Sequence, residues 1–171
     1  MNTKIMVTLS LLVGIGAVLH AVMPGIVFGM KPDLMLIMMF LGIFLFPDFK
    51  STVLLGSVTG VISGLTTTFP GGQIPNLIDK IFSAILIYTV FILVKKIGKT
   101  FATSLVLTCI GTLVSGLLFL GSAYFIVGLP GPFLALVGGI VLPTTAINTV
   151  AMALIFPIAS GIVKRSNIAL N

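Results

Sequence analysis

The charged and amide side chains that could bind a ligand gather in two short segments of the chain. They are Lys31 and Asp33 in the first segment, and Gln73, Asn76, Asp79 and Lys80 in the second. Asn76 and Lys80 are four residues apart, so on a helix they share one face and can both contact one ligand. The alternative is local: Asn76 followed by Asp79 is typical of a helix cap, and Lys31 with Asp33 of a solvated ion pair. The spacing predicts a binding site and leaves this structural role open.

A third candidate segment is residues 143–149, with the sequence PTTAINT. Proline suits the first position of a helix, and a helix that begins at Pro143 would favour an anionic group at its N-terminus. Asn148, one turn below Thr144, would be a further partner for a bound carboxylate, and we include it among the predicted binding residues. The alternative is a hydrogen bond from Asn148 to a neighbouring helix. His20, the single histidine, is interpreted as a neutral imidazole bonded to a nearby carbonyl.

Residues for catalysis or metal binding are scarce. Cys109 is the single cysteine, which permits neither a disulfide nor a cysteine-based metal site. Gly98, Lys99 and Thr100 are similar to the end of a nucleotide-binding loop, but Leu93 occupies the position of the required earlier glycine. We therefore predict a protein that is not an enzyme and holds no metal or cofactor.

The composition indicates an integral membrane protein. Hydrophobic residues make up 58% of the chain and charged residues 7%, whereas soluble domains carry about 25% charged residues. The mean hydropathy is +1.32. Six spans of about 20 residues fit into the chain with short loops. We predict a single integral membrane domain over residues 1–171, with no room for an ATPase or another soluble domain.

The apolar runs predict an all-α bundle of six transmembrane helices. Their expected ranges are about 5–23, 34–46, 52–69, 75–94, 101–127 and 143–163. The second helix is short, because its 13 residues reach only about 20 Å at 1.5 Å per residue. The apolar stretch 132–142 has two interpretations, a re-entrant loop or an outer extension of the last helix.

The lysines set the predicted orientation. With the N-terminus inside, the cytoplasmic segments contain Lys4, Lys50, Lys95, Lys96, Lys99, Lys164 and Arg165. The outer segments contain Lys31 and Lys80. Because cytoplasmic loops accumulate Lys and Arg, both termini are expected in the cytoplasm and the candidate binding residues on the outer face. The net charge of +6 is thus interpreted as topology, and no nucleic acid partner is expected.

Small residues recur at helical spacing in two of the predicted helices. Gly56, Gly60 and Gly64 allow close approach of another helix, for which we predict packing inside the bundle. Ala17 and Ala21 have the same spacing in the first helix. They fit either internal packing or a docking surface for a partner protein.

Four segments together resemble the bacterial tryptophan transport protein family, and the resemblance spans essentially the whole chain. They are GAVLHAVMP at 16–24, GMKPD at 29–33, GQIPNLIDK at 72–80 and PTTAINT at 143–149. That family is similar in size and hydropathy to the substrate-binding subunits of energy-coupling factor transporters. The resemblance implies that Ala17 and Ala21 dock on a module made of a membrane coupling protein and two ATPases.

The expectation is a multi-pass protein of the bacterial cell membrane that takes up tryptophan as the binding subunit of an ATP-driven importer. Lys31 or Lys80 would pair with the ligand carboxylate, and Asp33 or Asp79 with its ammonium group. A stand-alone secondary carrier for an aromatic or indole-like solute is the alternative, and a non-transporting scaffold is a third class. The acidic residues lie near predicted helix ends, which disfavours a proton-coupled carrier.

Overall fold

Six helices make up the architecture in a computed structural model that describes residues 3–24, 33–95 and 100–166. They are α1 Thr3–Val22, α2 Leu34–Leu45, α3 Phe49–Leu65, α4 Gln73–Val94, α5 Thr100–Ile126 and α6 Phe133–Arg165. No strand occurs within these described ranges. The predicted all-helical class and the number of helices are confirmed. Helices α1, α4, α5 and α6 are long and apolar enough to cross a membrane.

The short helix α2 lies at the centre of the bundle. Every residue from Met35 to Phe46 is buried, since α2 packs against each of the other five helices. Its sequence, LMLIMMFLGIFL, has no polar face, as expected of a helix covered on all sides. The 12 residues rise only about 18 Å. Neighbouring helices thus cover a helix that is too short to span the membrane alone.

Glycines hold α3 directly against α4, which confirms the predicted internal packing. A Cβ atom added to Gly56 would lie 2.9 Å from the Cβ of Ala84 and 3.1 Å from the carbonyl oxygen of Lys80. One added to Gly64 would lie 3.0 Å from the carbonyl oxygen of Gln73. This close approach fixes the position of α4, and therefore of Lys80, relative to α3.

The turn between α3 and α4 depends on one glycine. Gly71 has a φ of +73°, a left-handed conformation that other residues rarely adopt. A Cβ atom at this position would also lie 2.5 Å from Cγ1 of Val127, just after the end of α5. The turn is therefore held against the end of α5.

The last helix differs from its prediction. We expected it to begin at Pro143, but α6 begins at Phe133 and includes a π-helical stretch, Val137–Val141. The backbone N–H of Leu142 donates to the carbonyl of Val137, five residues earlier. The hydrogen-bond pattern thus changes just before Pro143, which has no N–H to donate. The stretch 132–142 is an extension of the last helix and not a re-entrant loop.

Two cavities mark the two ends of the bundle. The end of α1 and the starts of α2 and α4 meet at one end, which we call the site end. The ends of α2, α4 and α6 meet at the other, the lysine end. Asp48 caps α3 at the lysine end and accepts hydrogen bonds from the Ser51 N–H and hydroxyl, both at 2.9 Å. These bonds hold the pKa of the Asp48 carboxyl below its usual value.

Candidate functional site

The cavity at the site end is bordered by parts of α1, α2, α4, α5 and α6 and by the α3–α4 turn. Its volume is about 90 Å³. The polar residues that line it are His20, Asp33, Thr67, Thr68, Asn76, Asp79, Lys80, Thr112, Ser115 and Thr144. Apolar walls are formed by Leu36, Phe69, Gly116, Phe119, Leu120, Ile140 and Val141. Charged groups thus meet an apolar and aromatic wall, which is the usual make-up of a small-molecule site.

Lys80 lies between two carboxylates at the base of this cavity. Its side chain is 1% exposed, and Nζ lies 2.6 Å from Oδ2 of Asp33. The same ammonium group forms an ion pair with Asp79, whose side chain is also 1% exposed. A buried ammonium group is tolerated only when anionic partners compensate the loss of water. The two aspartates provide this compensation.

Each aspartate is fixed by a further hydrogen bond. Oδ1 of Asp33 accepts from the backbone N–H of Leu36 at 3.0 Å, which caps α2. Oδ1 of Asp79 accepts from the Ser83 hydroxyl at 2.9 Å, one turn along α4. His20 adds a neighbour from α1, with Nδ1 3.8 Å from Oδ1 of Asp33. The cluster therefore joins α1, α2 and α4.

Asn76 lines the cavity and does not occupy the N-cap position of α4. The cap position of α4 is Gly72, and the Asn76 side chain donates from Nδ2 to the Gly72 carbonyl at 2.8 Å. Asp79 contacts Lys80 and Ser83 instead of the helix start. The interpretation of Asn76 and Asp79 as a capping pair is wrong, because α4 begins three residues before Asn76.

Asn148 lies beside the cavity and does not line it. Its Nδ2 atom donates to Oγ1 of Thr112 and to the carbonyl oxygen of Asp33, both at 3.3 Å. It therefore links α5, α6 and the start of α2, as the neighbouring-helix alternative proposes. The predicted anion site at Pro143 is wrong, because the helix continues through this residue and has no N-terminus there.

The structure thus brings together Asp33, Asn76, Asp79 and Lys80 from two distant segments. Gln73 is exposed at the first residue of α4, outside the cavity lining. Lys31 lies outside the described residues. In α1, Ala17 packs partly against the core, whereas Ala21 is exposed.

Sequence reasoning missed the contribution of α5. Thr112 and Ser115 line the cavity, and Ser104 and Thr108 are buried on the same side of the helix. Hydroxyl residues at spacings of four, four and three along an apolar run form a stripe, and this periodicity was the available signal. Phe119, which also lines the cavity, was not among the predicted residues either.

The arrangement suits a ligand that carries both charges and an aromatic ring. Lys80 can pair with a carboxylate, and Asp33 and Asp79 with an ammonium group. Phe69 and Phe119 stack edge to face beside them, with ring centroids 5.5 Å apart and planes at 75°. A planar aromatic group can add to such a pair in the same offset or edge-on manner.

Comparison with known proteins agrees with the resemblance that the motifs indicated. The family described as "Tryptophan transporter TrpP" matches residues 2–164. A Bacillus subtilis protein named "Probable tryptophan transport protein" is 53% identical over 167 residues, covering 98% of this chain and 96% of the relative. A Clostridium acetobutylicum protein of the same name is 42% identical over 156 residues, covering 91% of each chain. No solved structure was found that matches the chain. The match over nearly the whole length, together with these relatives, shows that this chain belongs to the TrpP family of tryptophan transporters.

Proposed function

We propose that this protein takes up tryptophan across the bacterial cell membrane and binds it in the cavity at the site end. The observation that carries the proposal is the placement of Lys80 between Asp33 and Asp79 beside the aromatic pair. The ligand carboxylate would replace one aspartate as the partner of Lys80. The ligand ammonium group would then pair with the released carboxylate. No buried charge is left without a partner in this exchange, which keeps its free-energy cost low.

The remaining candidate residues receive roles from their positions. Asn76 would donate or accept a hydrogen bond at the ligand carboxylate or ammonium group from the cavity wall. Asn148 would position Asp33 through its backbone carbonyl and Thr112 through its hydroxyl. Gln73 lies outside the cavity lining and is proposed to contact the ligand only as it enters, whereas Lys31 keeps its predicted role as a partner of the ligand carboxylate. The termini are proposed to lie in the cytoplasm, with the cavity on the outer side.

The energy for uptake is proposed to come from partner proteins. The chain is a small helical protein without a nucleotide-binding loop in its sequence. As the substrate-binding subunit of an energy-coupling factor importer, it would dock on a membrane coupling protein with two ATPases. The outward side of α1 is the proposed docking surface: Ala21 is exposed there, and nothing lies within 4 Å of a Cβ atom added to Gly14. Small side chains allow a partner helix to approach closely.

A stand-alone carrier is the second candidate, and one observation favours it. His20, Asp33 and Asp79 form a titratable cluster that lines the cavity, in which His20 and Asp79 are buried and Asp33 is partly buried. Buried carboxylates and histidines of this kind often bind the coupling ion in secondary transporters. Uptake by the purified protein alone, in vesicles with an ion gradient and without ATP, would favour this candidate over the importer subunit.

Tryptophan fluorescence tests the ligand directly. The chain contains no tryptophan and two tyrosines, so added tryptophan supplies the only indole signal. Transfer of the indole into the apolar part of the cavity should shift its emission to shorter wavelength. Titration of the purified protein in detergent should give a saturable shift, and calorimetry should give the same affinity. A titration without a spectral change or heat would overturn the assignment of the ligand.

A further inference from the structure

A second cavity lies at the lysine end and shares no lining residue with the first. Its volume is about 560 Å³. It is formed where α2, α4 and α6 end and where α5 begins. We propose that this cavity binds an anionic phospholipid of the surrounding leaflet, with the headgroup at its rim and an acyl chain on its floor.

The floor of the cavity is aromatic. Phe44 and Phe91 are buried, with ring centroids 5.0 Å apart. Phe101 and Phe156 form a second pair at 6.2 Å, in which Phe156 is buried and Phe101 is 44% exposed. The exposed ring of Phe101 opens the floor toward the outside of the bundle. An acyl chain can therefore reach the floor along α5 and cover apolar surface there.

The rim of the cavity is cationic. Lys95 follows the last residue of α4, and Lys164 is in the last turn of α6. Thr100 and Ser160 add hydroxyl groups to the lining. The described lining residues include no carboxylate, and neither lysine forms an ion pair within the described part of the chain. The rim therefore complements a phosphodiester group, which pairs with lysine and accepts hydrogen bonds from hydroxyls.

Charge and location favour a lipid over other anions. Two lysines next to an apolar floor complement a molecule that has both an anionic head and an apolar tail. Basic pockets between membrane helices on the cytoplasmic side commonly bind such headgroups, and the cytoplasmic leaflet supplies anionic lipids. The lysine end is the end predicted to lie in the cytoplasm.

Thermal unfolding in detergent tests the proposal. Phosphatidylglycerol should raise the unfolding midpoint of the purified protein more than phosphatidylcholine with the same acyl chains. The Lys95→Gln/Lys164→Gln variant should lose most of this difference, because both headgroup partners are neutral. Lys50→Gln, which removes an exposed lysine from the first turn of α3 at the same end, is the matched control and should retain it. Equal losses in both variants would indicate a general charge effect and overturn the proposal.

Two further measurements identify the occupant. Native mass spectrometry should detect one phosphatidylglycerol retained by the wild-type protein and by Lys50→Gln, but not by the double variant. Glycerol phosphate alone should give little stabilisation, because it lacks the acyl chain. A shift equal to that of phosphatidylglycerol would show a site for free phosphate esters and overturn the lipid assignment. Retention of the lipid by the double variant would overturn it as well.

Discussion

Lys80 and its two aspartates form a charge cluster in which the three groups do not contribute equally to stability. Removal of the ammonium group leaves the buried carboxylate of Asp79 without a cation and close to the partly buried carboxylate of Asp33, so Lys80→Met should destabilise the fold by about 3–5 kcal/mol. Neutralising Asp33 leaves Lys80 paired with Asp79, and an asparagine retains the cap of α2. Asp33→Asn should therefore fold almost normally. This variant separates ligand binding from stability.

The expected effect of Asp33→Asn is on tryptophan affinity. Loss of a charge-assisted bond to the ligand ammonium group is worth about 1.5–3 kcal/mol, which corresponds to roughly a ten- to hundredfold weaker affinity. The measurement is a fluorescence titration, with the unfolding midpoint of the ligand-free protein as the control. A variant with wild-type affinity would show that Asp33 positions Lys80 without contacting the ligand. Tryptamine, which lacks the carboxylate, should lose affinity for the wild type in the same assay.

Phe119 tests the proposal that the aromatic pair of Phe69 and Phe119 contacts the indole ring of tryptophan. Phe119→Leu removes the edge-to-face partner of Phe69 and should weaken tryptophan binding by about 0.5–1.5 kcal/mol, or up to roughly tenfold. Phe125→Leu is the matched control, because Phe125 is 85% exposed and lies outside the cavity lining. Both variants are assayed by the same titration. Equal affinities in the two variants would contradict a role for Phe119 in the wall.

For the individual site residues, the sequence predicted the contacts within one helix and missed the contacts between helices. The four-residue spacing of Asn76 and Lys80 correctly predicted that they share one face of a helix. The pairing of Lys80 with Asp33 was not predictable, because it depends on how α2 packs against α4, and Lys80 lies 47 positions after Asp33 along the chain. His20 reaches the same cluster from a third helix.

The contact between α3 and α4 determines the position of Lys80, so a change in the packing of these helices alters the site. Gly56→Ala would place a methyl group 2.9 Å from the Cβ of Ala84 and 3.1 Å from the Lys80 carbonyl oxygen, so α4 must move away. We expect a loss of stability of about 1–3 kcal/mol from this overpacking, together with weaker tryptophan binding. Gly14→Ala is the control: nothing lies within 4 Å of the added Cβ atom, and alanine should stabilise α1 by about 0.5–1 kcal/mol.

Thermal unfolding and ligand titration measure the two consequences separately. Stability of Gly56→Ala equal to that of the wild type would show that the helices adjust at no cost. Weaker binding without a change in the unfolding midpoint would show that α4 moves as a rigid element and displaces Lys80.

Sequence patterns were sufficient to predict the bounds of some helices and not of others. Apolar runs bounded by polar or proline residues located α1, α2, α4 and α5 to within a few residues. The start of α6 was wrongly predicted at Pro143, because the sequence alone does not distinguish a proline that begins a helix from a proline that follows a π-helical stretch. The difference lies in the backbone of Val137–Val141, where the hydrogen-bond register changes. Gly138 and Gly139 are exposed, with open space around both, and give no packing signal.

The arrangement of the helices within the whole molecule was not contained in the hydropathy pattern. In a membrane, lipid is as apolar as a leucine side chain, so the pattern does not separate buried from lipid-facing surfaces. The central position of α2 shows this: Met35–Leu45 are all buried, whereas α1 is also mainly apolar and exposes much of its apolar surface. Length was the available signal, since a helix too short to span must be covered by longer ones.

The proposed docking on an ATPase module would involve the whole molecule, and the surface proposed for it is the exposed side of α1. Ala21 is exposed there, whereas Ala17 packs partly inward, so Ala21→Leu changes the surface with the least effect on the bundle. A leucine should keep a partner helix at a distance and remove close packing. We expect Ala21→Leu to retain tryptophan binding and to lose both ATP-dependent uptake and co-purification of the ATPases. Ala146→Leu, an exposed alanine of α6, is the control and should retain all three. Undiminished uptake by Ala21→Leu would place the docking surface on another helix, and uptake by the wild-type protein alone without ATP would show that no module is required.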